Sequence, residues 1–280
     1  MTLNFQIYLI LIALRNFKFT GILIATILLT TAFMVEDFKA LQLKYDRVQT
    51  AYDQKSEAVF ALLASKHLQP SQLELYFRAI KNEKTLEIWA KNRTDETFQH
   101  VKDYVFAGYC GSLGPKRKEG DMQIPEGFYH INRFNPMSSF YLSLGLNYPN
   151  ESDRILGHKS KPGSDIFIHG TNITSGCIPI TDEKIKEVYI LAIEAKNAGQ
   201  EKIPVDIFPA RLDEKSFEEL KAYSKSPEYI EYWRPWLGNK VINSDAMNLF
   251  WAQLKPRYQY FETHRQLKSF KVNEKGKYVY

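Results

Sequence analysis

Apolar residues follow several distinct patterns along this chain of 280 residues, and the first is an uncharged run near the N-terminus. Residues 19–35 lie between basic residues at positions 15 and 18 and acidic residues at positions 36 and 37. The run is at the short end of what a membrane-spanning helix needs, which is about 20 residues. The basic residues before the run and the acidic residues after it predict that the chain following the run lies outside the cytoplasm. We predict that residues 1–35 form an uncleaved signal anchor, with a cleaved signal peptide as the alternative.

Residues 36–70 carry an apolar stripe with the three-and-four spacing of a helix. The stripe consists of Phe38, Leu41, Tyr45, Val48, Tyr52, Val59 and Leu62, with Lys55 as an interruption. Heptad spacing over this length is compatible with a coiled-coil stalk that forms a homodimer through residues 38–62. A single amphipathic helix packed on its own domain explains the same stripe. Pro70 ends the helix, because a residue before proline disfavours the helical conformation.

Residues 71–212 alternate between short apolar segments and turn residues, which predicts a mainly β domain with helices, of the α+β class. Leu73–Ile80 and Thr85–Ala90 are separated by four polar residues and predict a hairpin. Further strands are predicted at 100–109, 127–131, 140–144, 165–168 and 204–208. Thr181 precedes an amphipathic pattern that ends at Gly199, which predicts one N-capped helix.

Residues 213–280 are interpreted as a helical, aromatic-rich C-terminal extension. Helices are predicted at 217–225 and 246–254, and the segment 232–236 interrupts the pattern. The aromatic residues of this region include Trp233, Trp236, Phe250, Trp251, Tyr258, Tyr260 and Phe261. They favour either a platform that stacks on sugars or a layer packed on the preceding domain.

The amino-acid composition argues against nucleic-acid and metal partners. The net charge is only +5, and basic residues are interspersed with acidic ones, so no nucleic-acid partner is expected. The six histidines and two cysteines lack the spacing of metal ligands, so we expect no metal and no cofactor. Cys110 and Cys177 are the only cysteines, and we expect both to remain thiols.

The segment 168–180 concentrates the candidate chemistry, with His169 eight positions before Cys177. The apolar run 166–168 predicts a buried strand that presents His169, and Gly176 beside Cys177 predicts a tight turn. A thiol reacts as its thiolate, and a neighbouring imidazole is the usual group that activates it. A buried structural cysteine is the alternative on spacing alone.

The run Thr174-Ser175-Gly176-Cys177, preceded by His169-Gly170, resembles the active-site motif of the L,D-transpeptidases with a YkuD-type catalytic domain. The short loop is most similar to the subgroup of murein L,D-transpeptidases named YafK. The resemblance covers roughly residues 73–212. It includes several blocks in the same order, namely Leu113-Gly114-Pro115-Lys116, Glu119-Gly120-Asp121, Ile124-Pro125-Glu126-Gly127, Phe134-Asn135-Pro136 and Asn147-Tyr148-Pro149-Asn150 with Asp153-Arg154.

The resemblance implies a β-rich YkuD-like fold and an exported cysteine L,D-transpeptidase that acts on peptidoglycan stem peptides. It implies that Cys177 is the nucleophile, with a depressed thiol pKa that depends on His169 as the base. The N–H groups of Gly176 and Cys177 are the candidate oxyanion donors. The carbonyl of Gly170 is expected to fix the imidazole tautomer, and Asp165 is a rival for that role.

Substrate contacts are predicted from the carboxylates of stem peptides, which favour arginine partners. Arg154 is the first candidate, and Lys116 with Arg117 is the second. Ser175 stands where the wider family usually has a histidine, so His169 is expected to be the sole base and Ser175 is placed among the substrate-binding residues. Pro179 stands where the family commonly has Arg or Asn, so one usual substrate contact is missing.

Two further functions fit the same residues. In an L,D-endopeptidase or amidase, water would resolve the thioester formed at Cys177, whereas a non-catalytic peptidoglycan-binding module would keep only the fold. With the N-terminal segment, each interpretation places the domain at the periplasmic face of the inner membrane as a single-pass anchored protein. Cleavage of the signal would leave it free in the periplasm. The expected role is cell-wall synthesis or remodelling.

Overall fold

The computed structural model describes residues 37–237 and 244–280, which have a mixed α+β architecture. The predicted membrane segment 19–35 lies outside these residues. Within the two described ranges, no helix is both long enough and apolar enough to cross a bilayer. A short helix, α1 (Phe38–Gln42), comes first, and the elements described below belong to the compact unit Gln42–Tyr280.

The predicted stalk helix is helix α2 (Asp46–Ser65), which packs against helix α4 (Asp182–Asn197). A turn at residues 43–45 separates α2 from α1, so the stripe that begins at residue 38 does not lie on one continuous helix. The buried residues of α2 are Val48, Ala51, Tyr52, Val59 and Leu63. The apolar face is therefore buried on the same chain, as the packed-helix alternative requires, and it gives no support to a homodimer through residues 38–62.

Eight strands form one sheet in the order β3-β2-β1-β8-β4-β5-β6-β7. They are β1 (Leu73–Ile80), β2 (Thr85–Asn92), β3 (Gln99–Val105), β4 (Gly127–Asn135), β5 (Ser143–Leu146), β6 (Phe167–His169), β7 (Ile178–Pro179) and β8 (Pro204–Phe208). The β1–β8 and β6–β7 pairs are parallel and the others antiparallel. A short helix, α3 (Glu151–Leu156), lies between β5 and β6. Seven strands coincide broadly with predicted ones, whereas β7 has two residues and no alternation to detect.

Both faces of the central strands are covered, which is why β1 is buried almost throughout. Helix α4 covers one face, with Ile185, Val188 and Tyr189 fully buried. The other face meets aromatic side chains of the C-terminal region, since Ile80 and Phe208 share a buried cluster with Trp251 and Tyr258. Because the central strands are packed on both faces, the sheet can hold the short strands at one of its edges, β6 and β7, at fixed positions.

The C-terminal region contains α5 (Glu214–Tyr223), α6 (Pro227–Leu237), α7 (Ser244–His264) and a hairpin of β9 (Lys271–Val272) and β10 (Tyr278–Val279). The predicted interruption at 232–236 is wrong, because α6 runs through it with Pro235 in its last turn. Proline removes one helical hydrogen bond and crowds the carbonyl four residues before it, and only two residues of α6 follow Pro235. The buried aromatic residues are Trp233, Phe250, Trp251, Tyr258 and Phe261, so these five form a packed layer and not a platform for sugars.

Candidate active site

Strand β6 presents His169 at its end, as the apolar run predicts. The neighbouring Ile166 and Ile168 are buried, and His169 is only 1% exposed. In the register of the sheet, His169 lies opposite Ser143 of β5 on one side and Pro179 of β7 on the other. The imidazole is therefore enclosed by two neighbouring strands.

The imidazole tautomer is fixed by the carbonyl of the next residue. His169 Nδ1 lies 2.6 Å from the oxygen of Gly170, and because a carbonyl only accepts, Nδ1 carries the proton. Nε2 is left with the lone pair that a general base needs. The Gly170–Thr171 backbone is held in turn, since Thr171 N–H donates to Asp182 Oδ1 at 2.7 Å. A Cβ at Gly170 would lie 2.4 Å from that carboxylate oxygen, so the close approach requires glycine.

The carboxylate that binds the Gly170–Thr171 backbone is Asp182 and not the predicted rival Asp165. Asp165 is exposed, lies before β6 begins, and pairs with Arg133 Nη2 at 2.9 Å. Because the strand does not reach residue 165, the alternation that would put Asp165 on the same face as His169 is absent. Asp182 begins helix α4, and its charge raises the pKa of His169, although burial has the larger and opposite effect.

Cys177 lies one residue before β7, at the end of a turn that Thr174 braces. The Thr174 hydroxyl donates to the Cys177 carbonyl at 2.7 Å and accepts from Gly176 N–H at 3.1 Å. Phe167 N–H points at Cys177 Sγ across 3.4 Å. Gly176 has φ +134°, and a Cβ there would lie 2.7 Å from the Gln123 carbonyl oxygen. The turn therefore needs glycine for both its backbone conformation and its packing.

One of the two predicted oxyanion donors is already used. Gly176 N–H donates to the Thr174 hydroxyl in this structure, so it could receive an oxyanion only by giving up that bond. Cys177 N–H donates to no partner within the described ranges of the chain. The backbone N–H of Cys177, the candidate nucleophile, is therefore the donor that remains for a developing oxyanion.

The predicted depression of the thiol pKa is also wrong for the unliganded site. Burial raises the pKa of Cys177, and the N–H of Phe167 only partly opposes that effect. Burial lowers the pKa of His169. Both shifts favour the uncharged form, so the pair rests as a neutral thiol and a neutral imidazole. The described residues contain no hydrogen bond from His169 Nε2 to Cys177 Sγ, and such contacts are often long before substrate binds.

The predicted substrate-binding residues have different environments. Arg154 is exposed on α3, and its side chain forms no ion pair with any residue the structure describes. Lys116 is 4% exposed and is paired with Asp121 Oδ1 at 2.7 Å, which fits an internal structural role better than a surface contact. Ser175 is exposed in the turn that precedes Cys177. Arg117 is paired with the buried Asp153 at 3.0 Å.

Sequence reasoning missed three residues that contact or flank the pair. Cys110 Sγ lies 3.9 Å from Thr174 Oγ1. The Phe140 ring lies 4.7 Å from the imidazole of His169, measured between ring centroids. Ser143, opposite His169, is 1% exposed, and its hydroxyl has no hydrogen-bond partner within the described chain. Only Cys110 could have been noticed from the sequence, because it is the second cysteine. The positions of Phe140 and Ser143 beside His169 depend on loop packing and strand register.

A cavity of about 500 Å³ lies apart from this pair, between the β1–β2 turn, the segment following Tyr109, and helices α5 and α6. Its walls carry charges of both signs, for example Lys84 and Glu228, together with Tyr223 and Tyr232. Neither His169 nor Cys177 lines it. Cys110, next to Tyr109, connects the cavity wall to the turn that contains Cys177 through its contact with Thr174.

Comparison with known proteins places the site in a family. Residues 76–207 match the sequence family described as the L,D-transpeptidase catalytic domain, YkuD. A relative from Escherichia coli (strain K12), named "Putative L,D-transpeptidase YafK", is 31% identical over 207 residues, which cover 73% of this chain and 73% of the relative.

Two solved structures are more distant. The helical cell shape determining protein Pgp2 from Campylobacter jejuni is 16% identical, with a TM-score of 0.40 over 72% of this chain and 74% of that chain. Bd1075 from Bdellovibrio bacteriovorus is 22% identical, with a TM-score of 0.36 over 67% of this chain and 72% of that chain.

Proposed function

The chain belongs to the YkuD family of L,D-transpeptidases, and we propose that it uses Cys177 and His169 to transfer acyl groups between peptidoglycan stem peptides. The observation that carries this proposal is the fixed tautomer of His169, whose Nδ1 lies 2.6 Å from the Gly170 carbonyl oxygen. That contact leaves Nε2 able to take a proton from the half-buried thiol.

The first half of the reaction forms a thioester. Cys177 Sγ attacks the carbonyl carbon at the L-to-D junction after the third stem residue, and its proton moves to His169 Nε2. The oxyanion receives the Cys177 N–H. When the C–N bond breaks, Nε2–H gives its proton to the departing amine of the terminal D-amino acid. The products are a Cys177 thioester and a neutral imidazole, so the protons balance.

The second half regenerates the thiol. An amine of another stem attacks the thioester carbon, its proton passes to His169 Nε2, and the sulfur leaves and recovers that proton. Water in place of the amine gives hydrolysis by the same steps, which is the L,D-endopeptidase or amidase alternative. The pair of groups is identical in the two reactions, so the acceptor alone distinguishes them.

Purified protein incubated with defined muropeptides tests the proposal. Mass spectrometry should show cross-linked dimers, or exchange of the terminal D-amino acid, together with a transient mass increase on the peptide containing Cys177. Plain cleavage products without dimers would establish hydrolysis. Absence of both reactions, with binding to peptidoglycan retained, would leave the non-catalytic binding module as the correct description.

We propose further that residues 1–35 anchor the domain at the periplasmic face of the inner membrane. The support is the uncharged run 19–35 with basic residues before it and acidic residues after it. Fractionation of cells that express the full chain should find it in the membrane and accessible to protease from the periplasmic side. Recovery of the full-length chain in the soluble cytoplasmic fraction would contradict this proposal.

A further inference from the structure

The loop between β4 and β5, residues 136–142, forms one wall around the candidate base. Its Phe140 ring is tilted by 38° against the imidazole of His169, with 4.7 Å between the ring centroids. The end of the loop also binds the residue that follows His169, because Gly170 N–H donates to the Leu142 carbonyl at 3.2 Å. The position of this loop therefore determines how tightly His169 is enclosed.

Two cationic side chains from outside the loop contact it: Lys186 Nζ lies 5.5 Å from the centroid of the Tyr141 ring, and Arg47 binds the loop backbone. Arg47 Nη1 donates to the carbonyl oxygens of Ser138 at 2.5 Å and Tyr141 at 2.7 Å. The guanidinium carbon also lies 5.7 Å from the centroid of the Tyr141 ring. Hydrogen bonds from a charged donor are stronger than neutral ones, and a guanidinium can serve two acceptors in a fixed geometry. These contacts are called the Arg47 latch below.

The loop needs such support because its backbone is strained. Tyr141 has φ +74°, in the left-handed region that residues with a Cβ disfavour. A conformation of this kind persists when surrounding contacts over-determine it. Arg47 bonds to the carbonyl of the strained residue itself and to a carbonyl three residues earlier. Loss of the guanidinium would allow residue 141 to relax and move Phe140.

Arg47 acts from a firmly docked helix. It is the second residue of α2, and the next residue, Val48, is fully buried. Tyr52 donates to Glu194 Oε1 of α4 at 2.7 Å, and Lys55 pairs with Glu183 at 2.8 Å. Within the described part of the chain, Arg47 forms no ion pair with a carboxylate. Its donors are thus directed to the loop and not to a competing anion.

We propose that Arg47 is a positioning residue for His169, acting through the 136–142 loop from a helix that precedes the family-matched segment 76–207. Helix α2 is then part of the catalytic unit as well as a connection to the N-terminal region. The meaning for catalysis rests on the proposed function, in which His169 is the base. Enclosure of the imidazole by the loop that Arg47 holds can be measured independently of any reaction.

Carbethoxylation by diethyl pyrocarbonate tests the enclosure without an activity assay. The rate at His169 is measured by mass spectrometry of peptides and divided by the rate at His264, which lies in α7. In Arg47→Ala we expect this ratio to rise about tenfold, the change produced by about 1.4 kcal/mol in the opening equilibrium of the loop. Phe140→Ala should produce a similar rise, and the double variant should add little to either one.

Lys55→Ala is the matched control, because it removes one positive charge and one tether of α2 but leaves in place the Glu183–Lys186 pair and the contact of Lys186 with Tyr141. Its ratio should stay at the wild-type value. Arg47→Lys, which keeps the charge but replaces the Nη1 donor with an ammonium of shorter reach, should fall between wild type and Arg47→Ala. Equal ratios in wild type and Arg47→Ala would overturn the proposal. An equal rise in Lys55→Ala and Arg47→Ala would also overturn it, because helix docking would then be responsible.

The muropeptide assay gives the second measurement. Arg47→Ala should lower kcat about tenfold, in step with the labelling ratio, and Arg47→Lys should restore part of the loss. If the wild-type protein turns over no muropeptide, the proposed function fails while the labelling ratio still decides the latch. If Arg47→Ala unfolds, both histidines react faster and the comparison of Arg47→Lys with Lys55→Ala decides the outcome.

Discussion

Two buried regions of this chain differ in whether their polar atoms have hydrogen-bond partners. In the first, called the Lys81 cluster, Lys81 donates to Glu126 Oε1 and to the carbonyls of Gly114 and Ile124, at 2.8, 2.8 and 2.9 Å. Glu126 also accepts from Gly114 N–H and Trp251 Nε1. Both charged side chains are 0% exposed, so each is satisfied entirely by protein.

In the second region, the His169–Cys177 turn, several polar atoms are left without protein partners. The Ser143 hydroxyl and the Cys177 N–H have none within the described residues, and His169 Nε2 keeps its lone pair. Buried polar groups are normally satisfied because an unpaired one costs free energy. The difference indicates that the Lys81 cluster stabilises the fold, whereas the turn keeps hydrogen-bonding capacity available for a substrate.

Removal of the thiol is the largest expected break in this comparison. Cys177→Ala should lower turnover of muropeptides by about 10⁴-fold or more, because the proposed thioester forms at the Cys177 sulfur. Its free energy of unfolding should stay near that of wild type, since the side chain is small and half-buried. Cys110→Ala is the control and should keep most of the activity. Comparable turnover by Cys177→Ala and wild type would remove the nucleophile from the mechanism.

Disruption of the Lys81 cluster should have the converse effect. Glu126→Gln leaves the buried Lys81 without its counter-charge, and breaking a buried pair costs about 3–5 kcal/mol of unfolding free energy. Urea denaturation measures this loss. Glu119→Gln, at an exposed position, should change stability by less than about 0.5 kcal/mol. A cost below about 1 kcal/mol for Glu126→Gln would mean that the cluster does not stabilise the fold as proposed.

The pH dependence of thiol alkylation tests the pKa of Cys177, in the second of the two regions. Burial raises the pKa of Cys177, so iodoacetamide in a Cys110→Ala background should react with a midpoint above that of an ordinary thiol, about 8.5. Because His169 is neutral at rest, His169→Gln should shift this midpoint little. A midpoint below 7 in wild type that rises in His169→Gln would instead demonstrate a preformed thiolate–imidazolium pair.

The smallest expected effect distinguishes two serines with the same 1% exposure. Ser152 donates to the Gly276 carbonyl at 2.6 Å, so Ser152→Ala should cost about 1 kcal/mol or more in unfolding free energy. Among the described residues the Ser143 hydroxyl has no hydrogen-bond partner, so Ser143→Ala should change stability by less than about 0.5 kcal/mol, or stabilise slightly. Equal costs for the two variants would show that Ser143 is satisfied in solution.

Local patterns predicted a large part of this fold. Alternation located the β1–β2 hairpin, and the three-and-four spacing located helix α4, because these periodicities depend on which side of one element faces the core. The same reasoning failed at residues 232–236. There, Tyr229 and Trp233 pack into the core and keep the helix intact past its proline. Packing between distant segments outweighed a local signal.

The sequence by itself determined the α+β class and the candidate pair of His169 and Cys177, together with the Gly170 contact that fixes the tautomer. These features depend on neighbours within a few residues or on a local motif. Tertiary structure alone decided that the thiol and imidazole rest uncharged, that Gly176 N–H is occupied, that Lys116 is committed to Asp121, and that Arg47 reaches the 136–142 loop. Burial and hydrogen-bond partners are set by segments far apart along the chain, and no local spacing encodes them.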